Sequence, residues 1–296
     1  MIQEHEINQQ IKARPSTDLG ISLARILVAT DFSETSDRAL EHALSLARTY
    51  NSRIFLAHVI PVDLMMAPEL AEASREQMRR AAREGMERIL TSGRFFGVPH
   101  EEFIEEGYLW PNIEDLIKKH EIDLLALGTH GMGLMRKLLI GSRAEEIFRQ
   151  ARIPVLTVGP AVEREPFYEI ELKNILFATA FGMGVARQAA YAFSLAHEHH
   201  SRITLLHVQQ HLYQEQVIIN RLQELVPPVP DLHCLPWFRV EWGDPVNEIL
   251  RVAGQIRADL IVLGAKTRKG LPGHVPHTKA YQVVCGATCP VMTIKS

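Results

Sequence analysis

The stretch Leu124–Val158, LLALGTHGMGLMRKLLIGSRAEEIFRQARIPVLTV, joins two short apolar runs through a segment that contains several glycines. The runs Leu124–Leu127 and Val155–Val158 are typical of buried strands. Gly128 ends the first run, and a helical pattern continues as far as Gln150. A glycine loop that leads from a strand to the start of a helix presents backbone N–H groups, which suit an anion. We therefore predict a phosphate-binding loop here.

The glycines have a defined spacing, Gly128-x2-Gly131-x9-Gly141-Ser142. No Gly-Lys-Ser/Thr follows, so this is not a Walker loop, and Gly133 does not complete a G-x-G-x-x-G dinucleotide fingerprint. For the glycines alone, a surface loop that turns the chain is the alternative. The full spacing resembles the nucleotide-binding motif of the universal stress protein family, in its ATP-binding branch.

Composition limits the function classes. The 296 residues suffice for about two domains. A net charge of −3 gives no electrostatic footprint for nucleic acid. Three cysteines form no disulfide framework, which favours a reducing compartment. No apolar run of about 18 residues and no signal-peptide core is present. We expect a cytoplasmic protein with no nucleic-acid partner and no membrane attachment.

Strand and helix patterns alternate along the chain, which predicts a parallel sheet with helices on both faces. The predicted elements of the first half are strands at Arg25–Ser33, Arg53–Ile60 and Glu101–Glu105, and helices at Glu34–Thr49, Met65–Ser92 and Asn112–His120. Ser33 or Thr35 could cap the first of these helices. In the second half, Val217–Val226 is the counterpart of the long helix.

The same order then begins again, so the chain contains an internal repeat. Two segments recur at an offset of 149 residues and two at an offset of 136: Ile26–Ser33 with Ile175–Gly182, Ile54–Val59 with Ile203–Val208, Asp123–Gly128 with Asp259–Gly264, and Pro154–Val158 with Pro290–Ile294. We divide the chain into an N-terminal extension (1–23), a nucleotide-binding domain (24–160), a linker (161–172) and a second domain with a degenerate nucleotide motif (173–296).

Over residues 24–296 the two copies resemble a tandem universal stress protein. The resemblance implies an α/β fold of two tandem Rossmann-like units, related to the adenine nucleotide alpha hydrolases, each an open parallel five-stranded sheet with helices on both faces. Single-domain members of the family commonly dimerise through their last strands. We therefore expect Val155–Val158 and Val291–Ile294 to pair in an intramolecular pseudo-dimer, and a further homodimer is left open. Both are short apolar edge strands that need covering.

The resemblance also assigns ligand-binding roles. Asp31 is expected at the adenosine end of an ATP or ADP ligand, the Val59 backbone at the adenine edge, and the glycines with Ser142 at the ribose and phosphates. An Asx turn or helix N-cap is an equal alternative for Asp31. Arg136 and Lys137 either reach the phosphates or face solvent. The predicted cofactor-binding residues are Thr30, Asp31, Val59, Gly128, Thr129, Gly131, Gly141 and Ser142.

The second copy departs from this pattern. Ala180 stands where Asp31 stands, Thr267 replaces Gly131, and His277 with Thr278 replaces the Gly141-Ser142 pair. Side chains in a close-approach loop would crowd phosphates. We therefore predict one competent nucleotide site per chain, in the first copy.

Other groupings point to no further chemistry. The histidine cluster at 197–211 and the group of His274, His277, Cys285 and Cys289 lack zinc spacing, so we predict no metal site. The three tryptophans (Trp110, Trp237 and Trp242) are interpreted as anchors for helices on the sheet. We predict no catalytic residue.

The leading hypothesis is an ATP-binding regulatory module of a stress response, with or without Mg²⁺, in which hydrolysis is at most slow. Efficient phosphoryl transfer needs a positioned base and metal-holding carboxylates, which the motif lacks. The alternative is a scaffold that binds partner proteins and no nucleotide. An adenylyl transferase is a third class, but the first strand end, ATDFS, lacks the His-x-x-His signature it would need.

Overall fold

A single sheet of ten strands runs through the protein. The computed structural model describes residues 21–61, 68–129, 147, 150–162, 170–210, 214–228, 236–265 and 278–295. The strands are β1 (Arg25–Ala29), β2 (Arg53–Ile60), β3 (His100–Glu106), β4 (Leu124–Gly128), β5 (Val155–Val158), β6 (Asn174–Ala178), β7 (Arg202–Gln209), β8 (Trp237–Trp242), β9 (Leu260–Ala265) and β10 (Val291–Lys295). The helices are α1 (Glu34–Tyr50), α2 (Pro68–Leu90), α3 (Leu109–Lys119), α4 (Val185–Glu198), α5 (Glu215–Gln223), α6 (Pro245–Ile256) and α7 (Lys279–Gly286).

The strand order is β3-β2-β1-β4-β5-β10-β9-β6-β7-β8, so the two halves of the sheet mirror each other. Neighbouring strands within each half are parallel. In the centre, β5 and β10 are antiparallel, with Val155 opposite Thr293 and Thr157 opposite Val291. The expectation of an α/β fold with a parallel sheet is confirmed. The two five-stranded sheets are joined in one ten-stranded sheet, because β5 hydrogen-bonds with β10, which confirms the predicted pairing of Val155–Val158 with Val291–Ile294.

Each half contains an equivalent hydrogen bond that links two of its own strands. The carboxylate of Asp123 accepts from the backbone N–H of Arg25 at 2.9 Å, and that of Asp259 accepts from Asn174 at 2.7 Å. Each bond ties the start of a half's first strand to the residues before its fourth strand. The sequence repeat is therefore matched by equivalent aspartate hydrogen bonds in the two halves.

Several element limits differ from the predicted ones by a few residues. Helix α3 begins at Leu109, so Pro111 lies in its first turn, where a missing N–H costs no helical hydrogen bond. Helix α2 ends at Leu90, two residues before the predicted Ser92, while residues 62–67 lie outside the described ranges. Helix α5 begins two residues before Val217. Most of the N-terminal extension and of the linker lies outside the described residues. No helix within the described ranges combines the length and apolarity that crossing a bilayer requires.

One apolar core is continuous across both halves on the face covered by α1 and α4, where Leu40, Leu44 and Phe193 are buried. Trp110 is also buried, as predicted. The other two tryptophans correct the prediction, because Trp237 and Trp242 are 69% and 48% exposed at the two ends of edge strand β8. They anchor no helix on the sheet.

Candidate functional site

The candidate site of the first half, called the first cleft below, is the edge of the sheet where β1 and β4 end side by side. Strand order reverses between these two strands, and in open α/β sheets ligands bind at such a switch point. The structure brings five of the predicted residues to this edge: Thr30, Asp31, Val59, Gly128 and Thr129. The other three, together with His130, Arg136 and Lys137, lie outside the described residues: Gly131, Gly141 and Ser142.

Thr30 holds the turn that follows β1. Its backbone N–H donates to the oxygen of Ala57 at 2.8 Å, which extends the ladder by one residue. Its hydroxyl oxygen accepts from the N–H of Phe32 at 3.0 Å and is hydrogen-bonded to the Ser36 hydroxyl at 3.1 Å. The residue is buried. Both polar groups thus serve the turn, so Thr30 positions its neighbours.

Asp31 forms the Asx turn that the sequence offered as an alternative. Its Oδ1 atom accepts from the N–H of Ser33 at 3.1 Å. Ser33, not Asp31, is the N-cap of α1, because its hydroxyl accepts from the N–H of Ser36 at 3.3 Å. Oδ2 of Asp31 makes no hydrogen bond within the described part of the chain, and the side chain is only half-buried. One carboxylate oxygen is therefore available to a ligand.

Val59 lies two residues beyond the last β1–β2 pair, Ala29 with Ala57. Ala57 directs its oxygen toward the β1 side, and the backbone groups of a strand alternate in direction. Ile60 points the opposite way, since its oxygen accepts from Gly107 at 3.0 Å. The N–H and C=O of Val59 consequently face the space beyond the end of β1. They form a donor–acceptor pair directed into the cleft.

Gly128 is required by packing. A Cβ atom there would lie 2.5 Å from the Ser36 nitrogen and 2.5 Å from the Thr35 carbonyl carbon. The first turn of α1 therefore rests directly on the end of β4. Thr129, next along the chain, donates its N–H to the oxygen of Val158 at 3.1 Å and is buried. Both residues fix the position from which the glycine segment leaves the sheet.

His58 and Phe32 belong to the site and were missed as site residues. Nδ1 of His58 lies 2.8 Å from the oxygen of Thr30, and its ring stacks on Phe32 with centroids 4.4 Å apart. Phe32 has φ of +62°, a left-handed conformation uncommon for a bulky residue. Gly85 of α2 makes room for its ring, since a Cβ there would come within 2.9 Å of it.

The second half repeats this arrangement. Nδ1 of His207 lies 2.9 Å from the oxygen of Thr179, and Phe181 has φ of +54°. Burial lowers the pKa of His207, which favours the neutral ring. The two copies have the same Thr, Phe and His residues at the offset of 149 residues, and this identity could have identified all three positions from the sequence.

The corresponding strand ends of the second half, the second cleft, differ from the first cleft at positions expected to contact a ligand. Ala180 supplies no carboxylate at the position of Asp31. Helix α4 begins at Val185, the counterpart of Ser36, whereas α1 begins two residues earlier at Glu34. The three atoms nearest to a Cβ on Gly264, the counterpart of Gly128, would all belong to the Gln188 side chain, the first at 2.6 Å. Thr278 caps α7, while Thr267 and His277 lie outside the described residues.

The cysteines and histidines show no metal chemistry among the residues whose placement is described, where no group of three could hold an ion. Within the described residues Cys285 and Cys289 form no disulfide, and α7 ends before Cys289, so the two do not share a helix face. Burial raises the pKa of Cys289 to about 12, which keeps this thiol protonated and unreactive.

Comparison with known proteins gives consistent matches. The model of the Universal stress protein family matches residues 23–159 and 238–295. The chain is 25% identical over 297 residues to a universal stress protein of Mycolicibacterium smegmatis, covering 91% of this chain and 96% of the relative. It is 26% identical over 137 residues to universal stress protein MJ0531 of Methanocaldococcus jannaschii, covering 45% and 81% of the two chains.

A solved structure shares the fold over almost the whole length. The crystal structure of a universal stress protein from Archaeoglobus fulgidus superposes with a TM-score of 0.73 at 18% identity, covering 93% of this chain and 99% of that one. The family model accounts for more than half of the chain, in segments that include β1 to β5 and β8 to β10. The protein therefore belongs to the universal stress protein family.

Proposed function

We propose that the first half binds ATP in the cleft between β1 and β4 and that the bound nucleotide regulates a stress response. One observation carries the proposal. The free carboxylate oxygen of Asp31 and the outward-facing backbone of Val59 lie at the same switch point, directly beside the strand that leads into the glycine segment. Gly128-x2-Gly131-x9-Gly141-Ser142 then supplies the phosphate end.

The described residues fit the adenosine end of such a ligand. A carboxylate accepts hydrogen bonds from a ribose hydroxyl, as acidic residues do in other doubly wound folds. The paired N–H and C=O of Val59 match the donor and acceptor on the edge of an adenine ring. Asp31 would repel a triphosphate, so its negative charge is compatible only with the uncharged end of the nucleotide.

At the phosphate end, Gly131, Gly141 and Ser142 would offer backbone N–H groups and a hydroxyl. Of the described residues at the ends of β1, β2 and β4, only Asp31 carries a carboxylate. Magnesium-assisted phosphoryl transfer usually needs more than one acidic group, so ATP acts here as a switch ligand, with or without Mg²⁺. Hydrolysis, if it occurs, is slow.

The same proposal assigns roles to the two copies. Residues 24–160 form the nucleotide-binding domain, 161–172 a linker, and 173–296 a domain with a degenerate motif. The copies form an intramolecular pseudo-dimer around the β5–β10 pair. We propose a cytoplasmic location, in keeping with the absence of a disulfide at Cys285 and Cys289 among the described residues.

The proposal is tested by nucleotide content and calorimetry. Purified protein is heat-denatured, its released nucleotide is quantified, and nucleotide-free protein is titrated with ATP and ADP. We expect about one nucleotide per chain. Asp31→Leu should weaken ATP binding at least about tenfold, because a charged hydrogen-bond acceptor is lost. Gly131→Val or Ser142→Ala should weaken it as well.

Two controls make the result specific. Asp115→Asn removes an exposed carboxylate on α3 and should leave ATP affinity unchanged, as should Thr267→Val in the second copy. If the wild-type chain neither contains nucleotide nor changes its melting temperature in millimolar ATP, ATP binding is wrong and the scaffold hypothesis takes its place.

A further inference from the structure

The second half contains its own cavity of about 540 Å³, at the carboxyl ends of β6, β7 and β9. This volume lies in the usual range for sites that bind small molecules. Its floor is apolar, formed by Ala178, Leu206 and Leu263, and Ile249 and Val283 close one side. The floor and this side offer a dry surface for the body of a ligand.

Gln188 supplies a polar group inside this apolar surface. The residue is only 6% exposed and lines the cavity, with both amide atoms directly over Gly264. Its carboxamide makes no hydrogen bond to any residue in the described ranges, although its backbone N–H donates to Gly184. The side-chain oxygen and nitrogen therefore keep hydrogen-bonding capacity that a ligand in the cavity can use.

The rim of the cavity is positively charged. Lys279 is the one ionised side chain among the described lining residues, and its Nζ atom donates to Oε1 of Gln210 at 3.3 Å. Lys279 and Ala280 also form the start of α7, where the Thr278 hydroxyl accepts only the N–H of Tyr281. The ammonium group and the helix start together favour an anion at the rim.

We propose that this cavity binds a small amphipathic anion. Its apolar body would lie on Leu206 and Leu263, a hydrogen-bonding group would meet the Gln188 carboxamide, and one carboxylate or sulfonate would meet Lys279. A nucleotide fits this surface less well, because Ala180 removes the carboxylate that would receive a ribose. A triphosphate also carries more charge than Lys279, the one cation among the described lining residues, balances. This proposal does not depend on ATP binding in the first half.

The probe for this site is 8-anilinonaphthalene-1-sulfonate, which combines an aromatic body, one N–H donor and one sulfonate. We expect a saturable fluorescence increase with about one probe molecule per chain. Lys279→Met should weaken probe binding about tenfold and Gln188→Met several-fold, since each removes one polar contact. Lys119→Met, which removes an exposed lysine of α3, is the matched control and should leave binding unchanged. Melting temperatures of all variants check that they fold.

Three outcomes would overturn the proposal. Probe binding that is unaffected in both the Lys279→Met and Gln188→Met variants would place the probe elsewhere. Binding that never saturates would indicate non-specific apolar surface. Displacement of the probe by ATP in the Asp31→Leu variant, whose first cleft is impaired, would make the cavity a second nucleotide site. If the wild-type chain binds the probe but does not bind ATP, the result contradicts only the proposed nucleotide function.

Discussion

His58 places its Nδ1 atom 2.8 Å from the main-chain oxygen of Thr30, so a side chain of β2 holds the turn that presents Asp31. A carbonyl oxygen can only accept, so Nδ1 of His58 carries a proton and donates a hydrogen bond to this oxygen. In the same turn, Phe32 adopts a left-handed backbone conformation, and its ring stacks on that of His58.

Replacing His58 by phenylalanine should preserve the ring stack and remove the hydrogen bond. We expect a loss of about 1 kcal/mol in the free energy of unfolding. ATP binding in the first half should also weaken, because the turn that carries Asp31 becomes less fixed. Urea denaturation and calorimetry measure the two effects. The matched variant His207→Phe should cost similar stability and leave ATP affinity unchanged; equal effects of both variants on ATP would contradict the assignment to the first cleft.

Replacing Gly128 by alanine should destabilise the protein by about 3 kcal/mol or more, because the new Cβ would overlap main-chain atoms that cannot move independently. The nearest of these are the nitrogen of Ser36 and the carbonyl carbon of Thr35, both 2.5 Å away. Thermal and urea unfolding measure the loss.

Gly254 provides the contrasting case. It lies in α6, and a Cβ there would have no atom within 4 Å. Gly254→Ala should stabilise the chain by about 0.5–1 kcal/mol through the unfolded state and helix propensity. If both alanine variants had the same effect, backbone overlap at Gly128 would not be the cause of its instability.

His42 should make the folded state sensitive to acid. Burial lowers its pKa from 6.5 to about 4, so the unfolded chain binds the proton first as the pH falls. The free energy of unfolding should therefore decrease as the pH falls from 6.5 toward 4, by about 2 kcal/mol between pH 7 and pH 5 for this group. Above pH 6.5 His42 is mostly neutral in both the folded and the unfolded chain, so this loss of stability is absent.

The measurement is urea denaturation of wild type and His42→Leu at the two pH values. The variant should lose less stability on acidification than the wild type, by the amount assigned to this group. His199 and His207 have pKa values lowered in the same direction, and they remain in both proteins. Equal losses in both proteins would show that His42 is protonated or exposed in the folded state.

The β5–β10 pair should make the two halves unfold together. Met292 is fully buried and lies opposite Leu156 of β5, within a core that contains residues of both halves. Met292→Ala should cost about 2–5 kcal/mol and lower a single unfolding transition. Val217→Ala, at a 48% exposed position on α5, should have little effect. Calorimetry that resolved two transitions, with only one shifted by Met292→Ala, would contradict a shared core.

Much of the fold follows from local sequence patterns. The runs at Ile26, Ile54 and Asp123 and their repeats are correctly placed because a buried strand needs continuous apolar residues. The prediction that Trp237 and Trp242 anchor helices is wrong, because the sequence alone does not distinguish an aromatic residue at an exposed sheet edge from one in a core. Gln188 was not found at all. Its position depends on the late start of α4 and on the close approach of its side chain to Gly264, both of which are tertiary features.

The antiparallel join of β5 to β10 also bears on how the two clefts can differ. In a complex of identical subunits every substitution appears twice, so both clefts change together. Here the partners belong to one polypeptide, and an aspartate at position 31 coexists with an alanine at position 180. One gene can thus encode two different strand-end clefts in a fixed ratio of one to one, and dilution cannot separate them.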